Sequence, residues 1–455
     1  MTLHSSANRT PASPHKPTTA VILAAGLGTR MRSNLPKALH RLGGRPMITH
    51  LIETAASVFD RIVVVVGPDM PELAKATQPH PVVVQEERLG TAHATRMAEE
   101  LFGDGDVAVL YADNPLITAQ TMRALLESRA QPDTALALLA MHPADPGRYG
   151  RVVTDGQNVQ RIVEWKDATD AERAITLCNA GVLCADAADL RRWLAEVKAE
   201  NAQKEYYLTD VVALASEQGV VRYVEAPEQE LAGINSRAEL ARAEAALQMR
   251  LRETALEGGA TLVAPETVFF SVDTVLEPDV TIEPNVVFGP DVTVRSGAMI
   301  RAFSHLEGCE VGNNAVIGPY ARLRPGTVCA EETHVGNFVE LKAVKLGKGA
   351  KANHLTYLGD AQIGARTNVG AGTITCNYDG VFKHRTEIGD NVFVGSDSIL
   401  VAPVSIGDGA LIAAGSVVTQ NVPPDALALG RSRQINKESR GRMIRETLRA
   451  KKEQG

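Results

Sequence analysis

The chain has 455 residues, too many for one compact core, and its 44% hydrophobic and 22% charged residues match an ordinary globular protein, not a disordered or fibrous one. A formal net charge of −7 argues against nucleic acid or an anionic membrane surface as the main partner, because both are held through an excess of Lys and Arg. Five irregularly spaced cysteines (Cys178, Cys184, Cys309, Cys329, Cys376) form no CxxC pair, so neither a zinc site nor a disulfide framework is indicated, and reduced thiols in a cytosol are expected.

Residues 1–18 are rich in Ser, Thr and Pro and lack the apolar stretch of a secretion signal, which predicts a flexible extension. No run approaches the ~18 consecutive apolar residues that span a bilayer, so a cytoplasmic protein without a membrane partner is expected. Over 19–235, short β-branched runs (TAVILAAG, RIVVVVG, PVVVQ, DVAVLYAD, TALALLAM) alternate with helical stretches. This pattern predicts βαβ units in a mostly parallel, Rossmann-like sheet, with ligands at the carboxyl ends of its strands. Residues 236–257 contain no Gly or Pro and place Leu240, Ala243, Leu247 and Leu251 on one face, as a linker helix would.

From 258 to 433 an aliphatic residue followed by a small or polar one returns at every sixth position. The series includes Ile282, Phe288, Val294 and Ile300, then Val311, Ile317, Leu323, Cys329, Val335 and Leu341, and it closes with Val394, Leu400, Ile406, Ile412 and Val418. A period of six fits neither an α-helix nor an alternating strand. It fits a solenoid of triangular coils, with one short strand per side and the aliphatic residue pointing inward. The segment TCNYDGVFKHRTE (375–387) breaks the register and must leave the coil as a loop. Residues 434–455 form a charged tail to which no chemistry is assigned.

The first strand runs into LAAGLGTRM, with Lys37 following in LPK. Gly26 and Gly28 can turn backbone N–H groups toward a phosphate, and Arg30 and Lys37 can offset the charge of departing pyrophosphate. At this level a generic phosphate loop or a tight structural turn explains the same residues. Asp113 ends the strand DVAVLYAD, where a carboxylate can hold a hard cation, although before Asn114-Pro115 it is equally a turn residue. In the solenoid, KANHLTYLGD carries His354 and Tyr357, both expected to face outward.

With LGTAHA, LYADNPL, YGR, EWKDAT and NAG in the first half and RLRPG, NFVELK, NHLTYLGD, GAGTITCNYDG and GSDS in the second, the chain resembles a bifunctional family over 19–433. That family joins an N-acetylglucosamine-1-phosphate uridylyltransferase to a glucosamine-1-phosphate N-acetyltransferase on a left-handed parallel β-helix. The resemblance implies acetyl transfer from acetyl-CoA to glucosamine 1-phosphate, then uridylyl transfer from UTP with release of pyrophosphate. The product, UDP-N-acetylglucosamine, would supply peptidoglycan and lipopolysaccharide precursors. It implies Mg²⁺ held by Asp113 and Asn235, and catalytic Arg30 and Lys37. Leu23, Ala24, Ala25, Gly26, Gln85, Gly90 and Thr91 would hold the uridine nucleotide and Gly150, Glu164 and Asn179 the sugar, with Tyr111 and Ala112 in the same nucleotide and sugar site. At the second site it implies His354 as base. Arg324, Lys342, Tyr357 and Asn368 would bind the amino-sugar phosphate, joined by Lys383 from a neighbouring subunit of a homotrimer. Ala371, Asn377, Tyr378, Ser396, Ala414 and Arg431 would line the acetyl-CoA groove. Ala112, Trp165, Ala180 and Asn353 depart from the family's usual residues, the first three near the expected sugar end. A single-function nucleotidyltransferase with a purely structural β-helix is the alternative, and a non-catalytic scaffold is a third reading.

Overall fold

The structure, a computed structural model, describes residues 16–454 and divides into two compact units, 1–250 and 251–455. Residues 1–15 of the expected extension lie outside the described residues. Thr18 already belongs to the first unit: it is buried, and its N–H and hydroxyl both donate to Asp60.

The main sheet of the first unit contains seven strands, numbered here along the chain: β1 Thr19–Leu23, β2 Arg61–Val66, β3 Val82–Val84, β4 Asp106–Tyr111, β5 Thr134–Met141, β6 Cys178–Asp186 and β7 Val220–Glu225. Their order is β7-β5-β6-β4-β1-β2-β3. All neighbours are parallel except that β6 runs antiparallel to both β4 and β5. Such strands are buried on both faces, hence their continuous apolar runs. Val21, Val63 and Val109 pack into one layer, while Ile22, Val64 and Leu110 pack into the other. A hairpin, Arg151–Asp155 with Asn158–Val163, hangs from β6. The expected mostly parallel sheet is present; β6 and β7 were not among the runs read from sequence.

The helix expected over 236–257 spans Arg237–Glu257 and buries Leu247 and Gln248, and the two units part within it. The second unit is a left-handed parallel β-helix, in which Thr281 pairs with Met299 and Thr386 with Val404, eighteen residues on, so three sixes make a coil. Where a side loses one residue the step is seventeen, as from Lys351 to Asn368. Where the loop leaves the coil it is twenty-five, as from Asn368 to Phe393. Every residue of the six-period series named above is buried in one continuous core. Residues 440–454 form an exposed helix.

Candidate active sites

At the carboxyl ends of β1 and β4 a cavity of about 320 Å³ is lined by Leu23, Ala24, Ala25, Gly26, Lys37, Gln85, Gly90, Thr91, Tyr111, Ala112 and Asp113. The whole set expected for the nucleotide is thus brought together. Two glycines are required by geometry. Gly28 has a left-handed φ of 62°, and a Cβ there would come within 2.7 Å of Lys37 Cβ. Gly90 (φ 115°) lies so close to Tyr206 that a Cβ would meet its carbonyl oxygen at 2.5 Å. Gln85 is buried and donates to Gly90 O at 3.1 Å. Arg88, not singled out from sequence, donates from Nε to Ala25 O (2.8 Å) and so pins the glycine loop.

Lys37 Nζ lies 2.5 Å from Asp113 Oδ2 and 2.9 Å from Asn235 Oδ1. A carboxylate and an amide oxygen that are distant in sequence therefore converge on one cation. Hard divalent ions prefer that donor chemistry. Among the described residues no group of three or more His, Cys, Asp and Glu could hold a metal ion.

A second cavity, about 340 Å³, shares Thr91, Tyr111 and Asp113 with the first and adds Gly150, Glu164, Asn179 and Asn235. Asn179 N–H donates to Gly150 O (2.9 Å), and its Oδ1 accepts from Gly181 N–H (3.0 Å), which fixes the amide's direction. Burial raises the carboxyl pKa of Glu164, the Thr209 hydroxyl pulls it back, and Asp167 and Asp210 push it up again. Burial also raises Tyr111, between the two cavities, and holds Tyr207 at about 12. Arg30 is not brought to Asp113's cavities. It is exposed and lines a third one with Asn235, Arg148 and Arg242, because the 3-10 turn Thr29–Met31 buries Met31 and turns Arg30 outward.

On the β-helix His354 is exposed, and its Nδ1 lies 3.0 Å from Asn337 Oδ1. An amide oxygen only accepts, so Nδ1 carries the proton and Nε2 is left as the basic nitrogen. Up the same corner, coil by coil, follow Ala371, Ser396 and Ala414. Gly372 N–H donates to His354 O, Asp397 N–H to Ala371 O, Gly415 N–H to Ser396 O, and Arg431 Nη1 to Ala414 O. Four residues expected at acetyl-CoA thus form one edge with His354 at its foot.

Arg324 and Lys342 are neighbours on adjacent coils, and Gly359 occupies the next rung. A Cβ on Gly359 would meet the Tyr357 hydroxyl at 2.5 Å and the Asn377 amide nitrogen at 2.7 Å, so the glycine lets both close in. Arg324 pairs with Glu340 (2.9 Å) and Lys342 with Asp360 (2.7 Å). Asn368 is on another side, in register with Lys351 and Phe393, apart from that cluster. Tyr378 and Lys383 bridge across the projecting loop, and Asp379 closes it by accepting from the N–H groups of Val381 and Phe382 and from His384. Hydrogen bonding to the Lys342 ammonium of its own chain, and then that group's charge, lower the Lys383 pKa.

A family model described as a MobA-like NTP transferase domain matches residues 20–250, and one for the hexapeptide repeat of succinyl-transferase matches 385–420. The bifunctional protein GlmU of Gluconacetobacter diazotrophicus is 69% identical over 446 residues, covering 97% of either chain. That of Gluconobacter oxydans is 72% identical over 438 residues, 96% of this chain and 98% of its own. The chain belongs to the GlmU family. A further GlmU, from Granulibacter bethesdensis, is 60% identical over 435 residues, 94% of this chain and 96% of its own. Of the positions that the sequence resemblance marks as departures, Ala112 lines the first cavity and Ala180 the second, and both are buried. Trp165 lines neither: its ring lies 5.1 and 4.9 Å from the guanidinium carbons of Arg151 and Arg173. Asn353, beside His354, has a buried side-chain oxygen without a hydrogen-bond partner.

Proposed function

We infer that the two cavities of the first unit and the His354 edge of the second are the sites of the chain's two reactions. As a bifunctional transferase of the GlmU family, the chain makes UDP-N-acetylglucosamine from glucosamine 1-phosphate, acetyl-CoA and UTP. The observation that carries this reading is that its relatives match both units along nearly their whole length, which a single-function transferase with a structural β-helix would not.

In the proposed acetyl transfer, the amine of glucosamine 1-phosphate attacks the thioester carbonyl and His354 Nε2 takes its proton. The C–S bond breaks and the departing sulfur takes that proton back from His354, so CoA leaves as the thiol. Lys342, Arg324, Tyr357 and Lys383 hold the sugar phosphate, Asn368 standing apart from them. Ala371, Ser396, Ala414 and Arg431, with Asn377 and Tyr378, hold acetyl-CoA.

In the proposed uridylyl transfer, a phosphate oxygen of N-acetylglucosamine 1-phosphate attacks the α-phosphorus of UTP, and the bond to pyrophosphate breaks. The glycine loop and Gln85 bind the nucleotide, while Gly150, Glu164 and Asn179 orient the sugar. Lys37 and the more distant Arg30 offset phosphate charge. The enzyme is metal-dependent, and Mg²⁺ is the proposed ion, held by Asp113 and Asn235. When bound it neutralises charge on the phosphates. A homotrimer in the cytoplasm is part of the proposal. Support comes from an exposed ring stack, Phe303–Tyr320–Phe338, that offers apolar surface for assembly, and from the lack, among the described residues, of any helix long and apolar enough to cross a membrane.

The test supplies purified protein with all substrates and Mg²⁺ and measures both products. His354→Ala should abolish acetyl transfer and spare uridylyl transfer, and Asp113→Ala should do the reverse. Joint loss in either variant overturns the assignment of separate sites.

A further inference from the structure

Asp360 is absent from the set expected at the second site, yet it touches both halves of that set. Its Oδ1 accepts from Lys342 Nζ at 2.7 Å and its Oδ2 from Asn377 Nδ2 at 2.5 Å. Asp360 is only one-fifth exposed, and its backbone has a left-handed φ of 49°, which Asp tolerates better than most residues. Gly359 before it leaves room for the Asn377 amide and the Tyr357 hydroxyl to approach. Asn377 begins the projecting loop and is itself buried.

We propose that Asp360 is a positioning residue that couples the two substrates of acetyl transfer, aiming Lys342 at the amino-sugar phosphate with one oxygen and Asn377 at acetyl-CoA with the other. This rests on the roles assigned above to Lys342 and Asn377. Only a group that accepts at both oxygens serves both donors, and a carboxylate does so. An amide of the same shape presents NH₂ on one side. It must then lose one contact or force Asn377 to turn its own amide over, away from the direction that suits acetyl-CoA. Because one rigid carboxylate orients both side chains, binding of either substrate restricts the freedom the other must otherwise remove. The coupling is therefore reciprocal. Burial pushes the Asp360 carboxyl up, but Lys342, Asn377 and Lys383 more than offset this and hold it below its ordinary value. This favours the ionised form, the one that accepts at both oxygens.

The test is Asp360→Asn in the full chain, with Asp360→Glu as the charge-preserving variant. Acetyl-CoA binding is titrated calorimetrically with and without glucosamine 1-phosphate, and KM and kcat are measured for both. In the wild type each substrate should tighten the other. Asp360→Asn should raise both KM values about fivefold or more, as losing a charge-assisted hydrogen bond does, and should remove the mutual tightening. Asp360→Glu should restore part of it. Uridylyl transfer should stay within error; the β-helix should melt somewhat lower but remain folded at the assay temperature, so the loss of mutual tightening, which a merely structural role would not produce, is read on folded protein. Unchanged KM values and intact tightening in Asp360→Asn overturn the proposal. Lys342→Ala and Asn377→Ala serve as controls: if they too leave KM unchanged, it is the assignment of the substrate sites that has failed.

Discussion

Replacing Lys37 by Met tests how strongly one ammonium group holds the nucleotide cavity together. The Lys37–Asp113 ion pair is only 16% exposed on either side, and Asn235 supplies a second acceptor for the same cation. Exposed pairs contribute about 0–1 kcal/mol, whereas stripping one partner from a fully buried pair costs about 3–5 kcal/mol. With this degree of enclosure we expect a loss of about 1–3 kcal/mol, because Asp113 keeps its charge without its cation. Met keeps the stem that packs against Gly28, so the loss is electrostatic. The position vacated by the ammonium is bounded by two oxygens suited to a hard cation, so Mg²⁺ without nucleotide should stabilise the variant more than the wild type. At an ion concentration 100 times Kd the gain is about 2.7 kcal/mol. Calorimetric melting with and without Mg²⁺ measures both effects, and uridylyl transfer should fall in the variant. An equal metal-induced shift in both proteins would refute the view that Lys37 occupies the cation position.

Gly28→Ala should cost about 1–2 kcal/mol for its left-handed backbone and displace Lys37, lowering uridylyl transfer while acetyl transfer is unchanged; paired kinetic assays check this. Glu164→Gln concerns pH. Burial holds the folded carboxyl above its unfolded value, so the native state keeps the proton to higher pH, and stability falls as pH rises through that interval. The Gln variant should match the wild type at the acid end and exceed it near neutrality, with less uridylyl transfer, as melting between about pH 4 and 8 would reveal. Leu341→Ala removes a fully buried side chain stacked between Leu323 and Leu358 and should destabilise the β-helix by about 2–5 kcal/mol. Acetyl transfer should then fail at a lower temperature while uridylyl transfer persists, a split visible in thermal inactivation of the two activities.

Side-chain direction is a local property of the chain, so the six-residue period was enough to put the series from Ile282 to Val418 in the core, although Val280, Val286, Val292 and Ala298, each two places before a member of the series, are buried with it. Likewise the run TAVILAAG followed by Gly28 and Lys37 was enough to locate the phosphate loop, since strand, turn and lysine are near neighbours. The stacking of coils is another matter. His354, Ala371, Ser396 and Ala414 form one edge because steps of seventeen, twenty-five and eighteen residues return the chain to the same corner. Asp113, Lys37 and Asn235 meet only when the sheet closes, as do Arg88 and the glycine loop. Asn337 and Asp360 look like ordinary surface residues in sequence, because their partners, His354 and Asn377, are seventeen residues away and adjacent only across coils. Periodicity therefore decided what is inside and where the loop departs. The tertiary structure decided which outward-facing side chains share a site, because that depends on contacts between coils and strands that no local pattern encodes.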